Sequence, residues 1–260
     1  MNNPYEKEFF GKLESGVMRP GGLRLTDKLS QKCQFSEGAS LLDIGCGTGM
    51  ALEFLEKKYG IVGTGVDISK VNIEKGKKRN PKINLIVGDG TKLDFPTDAF
   101  DGILMECSLS VIGNKDSVLH DIYEILKPGG KFIITDIYLK TCYSGNNEAE
   151  KQDIIRASDK KTSTAGSKQG NSSYPHCLRG AFEINELIRT MESLGFKIID
   201  WKDESEELKK FAIDIIMEYG SLNYFWKQFA TCENKEIGNI KGVKLKQYGY
   251  FSMIAEKPEY

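Results

Sequence analysis

The sequence predicts a doubly wound α/β domain whose sheet is mostly parallel. Short apolar runs alternate with amphipathic stretches of helical length between residues 40 and 140. This alternation is typical of parallel strands that are joined by crossover helices and covered on both faces. A cluster of glycines directly follows the first apolar run and precedes the next helix. Together the two patterns indicate an open sheet that binds a ligand beyond the carboxyl ends of its strands.

Each element follows from its own apolar spacing. Strands are predicted at residues 41–44, 61–66, 83–87, 100–105 and 131–135, and helices at 23–33, 50–59, 69–79 and 116–126. Later in the chain a helix is predicted at 182–194 and a strand at 196–201. One long helix or two, with a break near Gly220, are predicted within 204–230, and a last strand at 250–255. The last two strands should add an antiparallel edge to the sheet, as is common in doubly wound folds.

Composition excludes several classes of protein. Lys and Arg number 36 against 37 Asp and Glu, and a net charge of -1 argues against a nucleic-acid partner or a polybasic membrane binder. No stretch approaches the roughly 18 consecutive apolar residues of a membrane span, and the N-terminus has no apolar signal core. Six cysteines are too sparse for a disulfide scaffold. We therefore expect a cytoplasmic protein with reduced thiols and no stable membrane anchoring.

The strongest motif is the glycine loop between the first strand and its helix. It reads Asp43-Ile44-Gly45-Cys46-Gly47-Thr48-Gly49. The glycines allow a tight turn and a close approach of the backbone to a ligand, and the following helix offers free N–H groups. A dinucleotide fingerprint would place its third glycine at Met50, which argues against a nicotinamide-dependent oxidoreductase.

Two acidic residues end the next two strands. Asp67 ends Gly65-Val66-Asp67 and is placed to accept hydrogen bonds from both hydroxyls of a ribose. The same residue could instead cap the helix that begins near Ser69. Asp89 lies in Gly88-Asp89-Gly90 and can accept a hydrogen bond from an adenine amino group, or form a plain turn.

As a set, these motifs resemble the class I S-adenosylmethionine-dependent methyltransferases. The matching pieces are the glycine loop, Gly65-Val66-Asp67, Gly88-Asp89-Gly90, Phe100-Asp101 and Leu126-Lys127-Pro128-Gly129-Gly130. The resemblance covers residues 40–140 and implies a Rossmann-like, seven-stranded sheet with its last strand antiparallel. It also implies Asp67 on the ribose, Asp89 near the adenine and the glycine loop under the methionine end of the cofactor.

The expected cofactor site comprises residues from the ends of the first four strands. They are Asp43, Gly45, Cys46, Gly47, Gly49, Asp67, Ile68, Asp89, Gly90, Thr91 and Glu106. Arg19 could meet a carboxylate of the cofactor or substrate, or be a solvated residue beside a turn. We expect one structural domain: a helical N-terminal cap (1–39), the cofactor-binding core (40–140), a flexible lid segment (141–180) and a C-terminal completion of the sheet with a helical insertion (181–260).

The cysteines supply the candidate catalytic residues. Their spacing includes no Cys-x-x-Cys pair, so we expect no metal site. The segments around Cys107 and His176-Cys177 resemble parts of arsenite methyltransferases, in which cysteine thiolates bind the metalloid. Cys232 lies in the late region that carries another binding cysteine in those enzymes, although its neighbours match poorly. Cys107, His176 and Cys177 are therefore the candidate catalytic residues, and small buried hydrophobic side chains are the plainer interpretation of the thiols.

Three functions remain open from the sequence. The first is methyl transfer to a small molecule with a soft nucleophile, such as a thiol-bound trivalent metalloid (arsenite). The second is C- or O-methylation of a small organic or quinone-type acceptor. The third is a non-catalytic module that binds the cofactor and a partner. The sequence does not predict an oligomeric state.

Overall fold

The computed structural model describes residues 17–140, 176–222, 224 and 247–259. Seven strands are present in this part of the chain: β1 (Ser40–Ile44), β2 (Val62–Asp67), β3 (Asn84–Val87), β4 (Phe100–Glu106), β5 (Leu126–Leu139), β6 (Lys197–Asp203) and β7 (Tyr248–Glu256). The helices described are α1 (Gly22–Cys33), α2 (Met50–Tyr59), α3 (Lys70–Arg79), α4 (Lys115–Ile125), α5 (His176–Arg179), α6 (Ile184–Ser193) and α7 (Ser205–Tyr219).

The strands form one sheet in the order β3-β2-β1-β4-β5-β7-β6. β1 to β5 pair in parallel, and β7 pairs antiparallel with both β5 and β6. The predicted α/β class and seven-stranded, Rossmann-like sheet are confirmed. The expected antiparallel edge is wrong in one respect: β7 is interior, and the edge strand β6 runs in the same direction as β1 to β5. Burial explains the order, because β7 is buried at seven of nine positions while β6 is largely exposed.

β5 is the longest strand and begins earlier than predicted. The sequence Pro128-Gly129-Gly130 indicates a turn, yet it lies inside β5, where the pairing with β4 shifts register between Phe100 and Gly102. Gly129 accommodates the irregularity with a φ of +77°. At its other end β5 continues to Leu139, four residues past the predicted end.

Alternate residues of the central strands pack on opposite faces of the sheet. On one face, Ile103 and Phe132 pack with apolar residues of α4 and α6. On the other face, Leu104 and Ile133 pack with α1 and α7, and we call this the α1-side cluster. The two buried layers hold the carboxyl ends of β1, β4 and β5 in fixed positions, and those ends carry the candidate site.

One predicted helix differs from the structure at its start. Phe182 is not helical, because it forms a bridge with Tyr138 of β5, and α6 begins at Ile184 with the Glu183 side chain capping its N–H groups. α7 ends at Tyr219, and Gly220 caps it in the left-handed conformation, at the predicted break. Residues 1–16, most of the expected lid (141–175) and residues 225–246 lie outside the described residues, whereas 176–180 form α5 and a turn. No helix in the described part of the chain is long and apolar enough to span a membrane.

Candidate functional site

The glycine loop turns sharply at the end of β1. The backbone N–H groups of Gly45 and Cys46 both donate to the Val66 carbonyl oxygen, at 2.8 and 3.2 Å. Gly45 and Gly47 have φ values of +82° and +57°, which favour glycine. A Cβ at Gly45 would lie 2.5 Å from Ser108 Cβ, whereas one at Gly47 would meet no atom within 4 Å. The loop is therefore packed against the protein at Gly45 and open to a ligand at Gly47.

Asp67 connects this loop to the start of α3. Its Oδ2 accepts a hydrogen bond from Gly47 N and its Oδ1 accepts one from Ser69 N, both at 2.8 Å. Ser69 in turn caps α3 by accepting from Asn72 N at 3.1 Å. Each carboxylate oxygen can accept more than one hydrogen bond, so this arrangement leaves acceptor capacity for a ligand. The capping role and the expected ribose role are thus compatible in one residue.

Asp89 lies beyond β3 on an exposed turn. Thr91 donates to Asp89 Oδ1 from its backbone N at 2.9 Å and from its hydroxyl at 2.8 Å, and these bonds lower the pKa of the carboxyl. Gly90 lies close to the core, since a Cβ there would come within 3.0 Å of Ile44 and Ile112. Because its pKa is lowered, the Asp89 carboxyl is ionised at neutral pH, at the edge of the site.

Ile68, between Asp67 and Ser69, is 67% exposed.

A buried polar cluster lies on the other side of the loop, at the end of β4. Glu106 Oε2 is 2.8 Å from Arg19 Nη2, and Glu106 Oε1 accepts a hydrogen bond from the Thr26 hydroxyl at 2.8 Å. Arg19 Nη2 also donates to Thr26 Oγ1 at 2.6 Å. The side chains of Arg19 and Glu106 are 11% and 3% exposed. Arg19 Nε is buried and has no hydrogen-bond partner among the described residues.

The Asp43 carboxyl completes this cluster without a side-chain hydrogen bond to any residue that the structure describes. Burial is the main cause that raises the pKa of its carboxyl to about 8, and the negative charge of Glu106 adds to the effect while Arg19 opposes it. Burial alone would lower the pKa of Arg19, but Glu106 in particular raises it above its ordinary value. One arginine thus faces two carboxyl groups, and a second cation placed beside Asp43 would lower its pKa and favour its ionised form.

Replacing Asp43 by asparagine should make the stability of the cofactor-free protein fall less as the pH rises toward 8. An aspartate whose pKa is raised on folding stabilises the folded state fully below its unfolded pKa, and this stabilisation is lost as the pH rises through about 8. The asparagine side chain would remain neutral, so the free energy of unfolding of Asp43→Asn should gain on that of the wild type between pH 5 and pH 9. Denaturant unfolding at each pH measures the difference, and two parallel profiles would contradict the raised pKa.

Cys107 follows β4 in a left-handed conformation, with a φ of +58°. Its Sγ lies 3.2 Å from the Tyr250 hydroxyl, which donates to Thr135 Oγ1 at 2.9 Å. Burial, with a further contribution from Asp136, raises the pKa of Cys107 well above its usual range, and burial likewise raises the pKa of Tyr250. Both groups therefore carry their protons at neutral pH.

The structure brings Cys177 to the same place as Cys107. Both pack against the α1-side cluster, and Cys177 is close enough to contribute to the raised pKa of the Cys107 thiol. His176 begins α5, but its side chain is outside the described part of the structure, as are Cys142 and Cys232. Cys46, which the sequence analysis places in the cofactor site, packs against the small apolar cluster under α2 and α3.

Gly180 fits directly against the loop that follows β4. A Cβ there would lie 1.7 Å from the Ser110 carbonyl oxygen. Ser110 is itself fixed, because its backbone N donates to Asp136 Oδ2 at 2.8 Å, and Ile137 N donates to Asp136 Oδ1 at 2.8 Å. The end of β5, the loop after β4 and the segment after α5 therefore form one packed unit.

Gly180→Ala should destabilise this unit, because the added methyl group cannot enter without moving backbone atoms. Overpacking of this kind typically costs about 1–3 kcal/mol. Gly113→Ala is a matched control in the same loop, since a Cβ there meets nothing within 4 Å. Denaturant unfolding should show a loss of stability for Gly180→Ala and little change for Gly113→Ala. Equal stabilities would mean that the Gly180 contact is not maintained in solution.

One polar residue of the site, Thr26, escaped the sequence analysis. It lies on the buried face of α1 between Leu25 and Leu29. A signal was available, because a polar residue on the apolar face of an amphipathic helix needs a partner, although the pattern does not identify that partner. Asp136 is placed by the sequence at the carboxyl end of the fifth strand, facing the acceptor, and in the structure it is fully buried in β5.

Comparison with known proteins supports the arrangement of the core. Residues 42–134 match a family model described as a methyltransferase domain. "Methyltransferase GfsG" of Streptomyces halstedii is 24% identical over 91% of this chain and 81% of its own length. "Sterol 4-C-methyltransferase strm-1" of Caenorhabditis elegans is 32% identical, but the match covers 46% of this chain and 37% of the relative. The chain thus spans less than half of that second relative.

Solved structures share the fold at low sequence identity. The [4+2]-cyclase SpnF has a TM-score of 0.63 with 24% identity, over 91% of this chain and 81% of the cyclase. Phosphoethanolamine N-methyltransferase 2 of Haemonchus contortus, in complex with S-adenosyl-L-methionine, has a TM-score of 0.68 with 17% identity, over 98% of this chain and 56% of its own. At these identities the likeness concerns the fold alone.

Proposed function

We propose that this chain, whose residues 42–134 match a methyltransferase domain, is a class I S-adenosylmethionine-dependent methyltransferase that methylates an apolar small molecule. The observation that carries the proposal is that a cofactor-type glycine loop, anchored by Asp67, lies beside an apolar rim. This rim is formed by residues at the end of β4, beside α5 and at the start of β7. Small-molecule methylation is also the activity in the names of several relatives and structural neighbours.

The residues present fit the cofactor along its whole length. Asp67 and Asp89 offer carboxylate acceptors for the ribose and the adenine, and the loop around Gly47 leaves space for the methionine portion. The buried, unpartnered Nε of Arg19 fits a carboxylate, and the unpaired Asp43 fits an ammonium group. When bound, S-adenosylmethionine supplies a methyl group that is already activated on a sulfonium. The protein's main tasks are then to orient the acceptor and to exclude water.

The acceptor side of the site is apolar. Four partly buried residues, Cys107, Cys177, Ala181 and Tyr248, line the α1-side cluster at the end of β4, beside α5 and at the start of β7. The Glu106 carboxylate is paired with Arg19 and accepts a hydrogen bond from Thr26. The Asp136 carboxyl is fully buried and accepts hydrogen bonds from the backbone N of Ser110 and Ile137. Because Cys107 and Tyr250 retain their protons at neutral pH, this rim favours an acceptor whose nucleophile needs no strong base.

A thiol-bound trivalent metalloid is the second candidate acceptor. The observation that favours it is the convergence of Cys107 and Cys177, since soft thiolate ligands suit such an acceptor. The raised pKa of Cys107 counts against it, because the thiolate rather than the thiol binds most tightly. Organic acceptors such as quinols, with a carbon nucleophile, are therefore the better match.

The test measures S-adenosylhomocysteine release by the purified full chain with three probes. These are a short-chain demethylmenaquinol, arsenite with excess glutathione, and phosphoethanolamine. We expect S-adenosylmethionine to bind one to one in calorimetry, and turnover only with the quinol. Turnover of phosphoethanolamine alone would refute the apolar assignment, and absence of cofactor binding would refute the proposed function as a whole.

Cys177→Ser separates the two acceptor classes. If the acceptor is a metalloid, this variant should retain cofactor affinity and lose turnover of arsenite, because a thiolate ligand is removed. If the acceptor is an organic molecule, turnover of the quinol should fall by no more than about threefold, since serine is similar in size to cysteine. Cys33→Ser is the matched control, because Cys33 is the last residue of α1 and its thiol is influenced by Lys131 and Asp200 rather than by a residue of the rim. Full activity of Cys177→Ser on arsenite would remove Cys177 from any metalloid site.

A further inference from the structure

We propose that Lys115 is a positioning residue that fixes residues 177–182 against the ends of β4 and β5 and so shapes the acceptor side of the site. The proposal rests on the proposed function for the meaning of that side, but its contacts are independent of the reaction. Lys115 is the first residue of α4 and directly follows the loop after β4.

The Lys115 ammonium joins three parts of the chain. Its Nζ donates to the Gly180 carbonyl oxygen at 2.5 Å and lies 3.9 Å from the centre of the Phe182 ring. It also moderates the pKa of Asp136, which burial raises. A carbonyl oxygen, an aromatic face and a carboxyl group together satisfy a cation that is partly removed from water.

The location of Lys115 at a helix start makes these contacts informative. The N-terminus of a helix carries a partial positive charge, so a lysine in the first turn opposes the helix dipole. Asn114, the residue before it, adopts a left-handed conformation with a φ of +48°, which asparagine adopts more readily than most residues. The unfavourable feature is therefore the lysine in the first turn, and its contacts with residues 177–182 act against that cost.

Backbone hydrogen bonds and the buried side chains of Leu178 and Phe182 also connect residues 177–182 to the sheet. Phe182 N donates to Ile137 O at 3.0 Å and Leu139 N donates to Phe182 O at 2.8 Å, at the part of β5 that extends past β4. Gly180 contacts Ser110, as described above. Lys115 reaches both Gly180 and Phe182, so its loss should loosen the segment that carries Cys177 and lies near Cys107.

The effect should be confined to the acceptor side. Lys115, Gly180 and Asp136 lie near the carboxyl ends of β4 and β5. The glycine loop follows β1, Asp67 ends β2 and Asp89 follows β3. We therefore expect Lys115→Met to leave the affinity for S-adenosylmethionine within about twofold of the wild type, since no hydrogen bond in the cofactor region is removed.

The experiment measures the rate at which N-ethylmaleimide modifies each cysteine of the full chain, resolved by peptide mass spectrometry. In Lys115→Met, Cys177 and Cys107 should react about tenfold faster than in the wild type, in line with the loss of a charged hydrogen bond. Cys33, which is buried in α1, is the internal reference and should keep its rate. Lys115→Arg should restore slow modification, because a guanidinium can keep both the hydrogen bond and the ring contact.

Lys127→Met provides the matched control variant. Lys127 pairs with Asp101 at the opposite end of β4 and β5, with both oxygens at 2.9 Å, so its loss tests general destabilisation of the same strands. Unchanged modification rates at Cys107 and Cys177 in Lys115→Met would overturn the proposal. It would also be overturned if Lys115→Met accelerated the modification of every cysteine alike, or if Lys127→Met accelerated Cys107 and Cys177 to the same extent. Because alkylation needs no acceptor, a failure of the proposed function would appear separately, as absent cofactor binding.

Discussion

Arg19→Met should lower the free energy of unfolding by about 3–5 kcal/mol, the range for breaking a buried ion pair by removing one partner. The variant keeps most of the side-chain volume but leaves Glu106 without its cation and Asp43 without the charge that opposes its burial. Thr26 also loses the donor at 2.6 Å that orients its hydroxyl. This is the largest stability effect that we expect from a single substitution in the site.

A double-mutant cycle distinguishes the ion pair from loss of packing. Glu106→Gln removes the opposite charge, so adding it to Arg19→Met should recover part of the lost stability, whereas independent effects would simply add. Arg24→Met is the surface control, because Arg24 of α1 pairs with Glu207 of α7 but its side chain is 64% exposed. Denaturant unfolding should show at most about 1 kcal/mol for this control. Strict additivity in the cycle would mean that Arg19 and Glu106 do not interact in solution.

The sequence predicted those parts of the fold that depend on local pattern. Apolar spacing located α2 to the residue, Met50–Tyr59, and placed β1 within one residue of its observed start. The glycine loop was identifiable for the same reason, because a left-handed backbone next to a buried strand requires glycine at particular positions. Chain connectivity was also predictable, since short crossover helices allow few arrangements of parallel strands.

What the sequence could not predict depends on contacts between distant segments. Thr26 and Glu106 are 80 residues apart, so neither flanking pattern indicates that they share a hydrogen bond. The position of β7 inside the sheet follows from pairing with both β5 and β6, a choice that its uniformly apolar pattern permits but does not specify. The Pro128-Gly129-Gly130 run was misleading, because tertiary pairing overrides a local turn preference there.

The candidate site shows the same division. Asp67 and the glycines were identifiable from a motif, because their role depends on backbone turns a few residues apart. The approach of Cys177 to Cys107 was suggested by a family resemblance, and the structure explains it by the contact of Gly180 with Ser110. Lys115 carried no signal beyond its place at a helix start, since its partners Gly180 and Phe182 lie far along the chain.

Asp67→Ala should weaken the binding of S-adenosylmethionine by about 1.5–3 kcal/mol, or roughly 10- to 150-fold in Kd, the range for a lost hydrogen bond to a charged group. In our assignment this carboxylate accepts from the ribose hydroxyls. It also accepts from Gly47 N and Ser69 N in the structure, so its loss frees the glycine loop from the start of α3. The two effects act in the same direction, because a looser loop must be ordered again when the cofactor binds.

Asp67→Asn separates these two contributions. The amide keeps one acceptor oxygen but presents N–H groups in place of the second oxygen, so it can serve either Gly47 or Ser69 but not both. Calorimetry should place its affinity between those of the wild type and Asp67→Ala. Asp94→Ala, on the loop before β4, is the control for a general change in negative charge and should bind as the wild type does. If Asp67→Ala bound the cofactor with unchanged affinity, Asp67 would retain only its role in capping the loop, and the ribose assignment would fail.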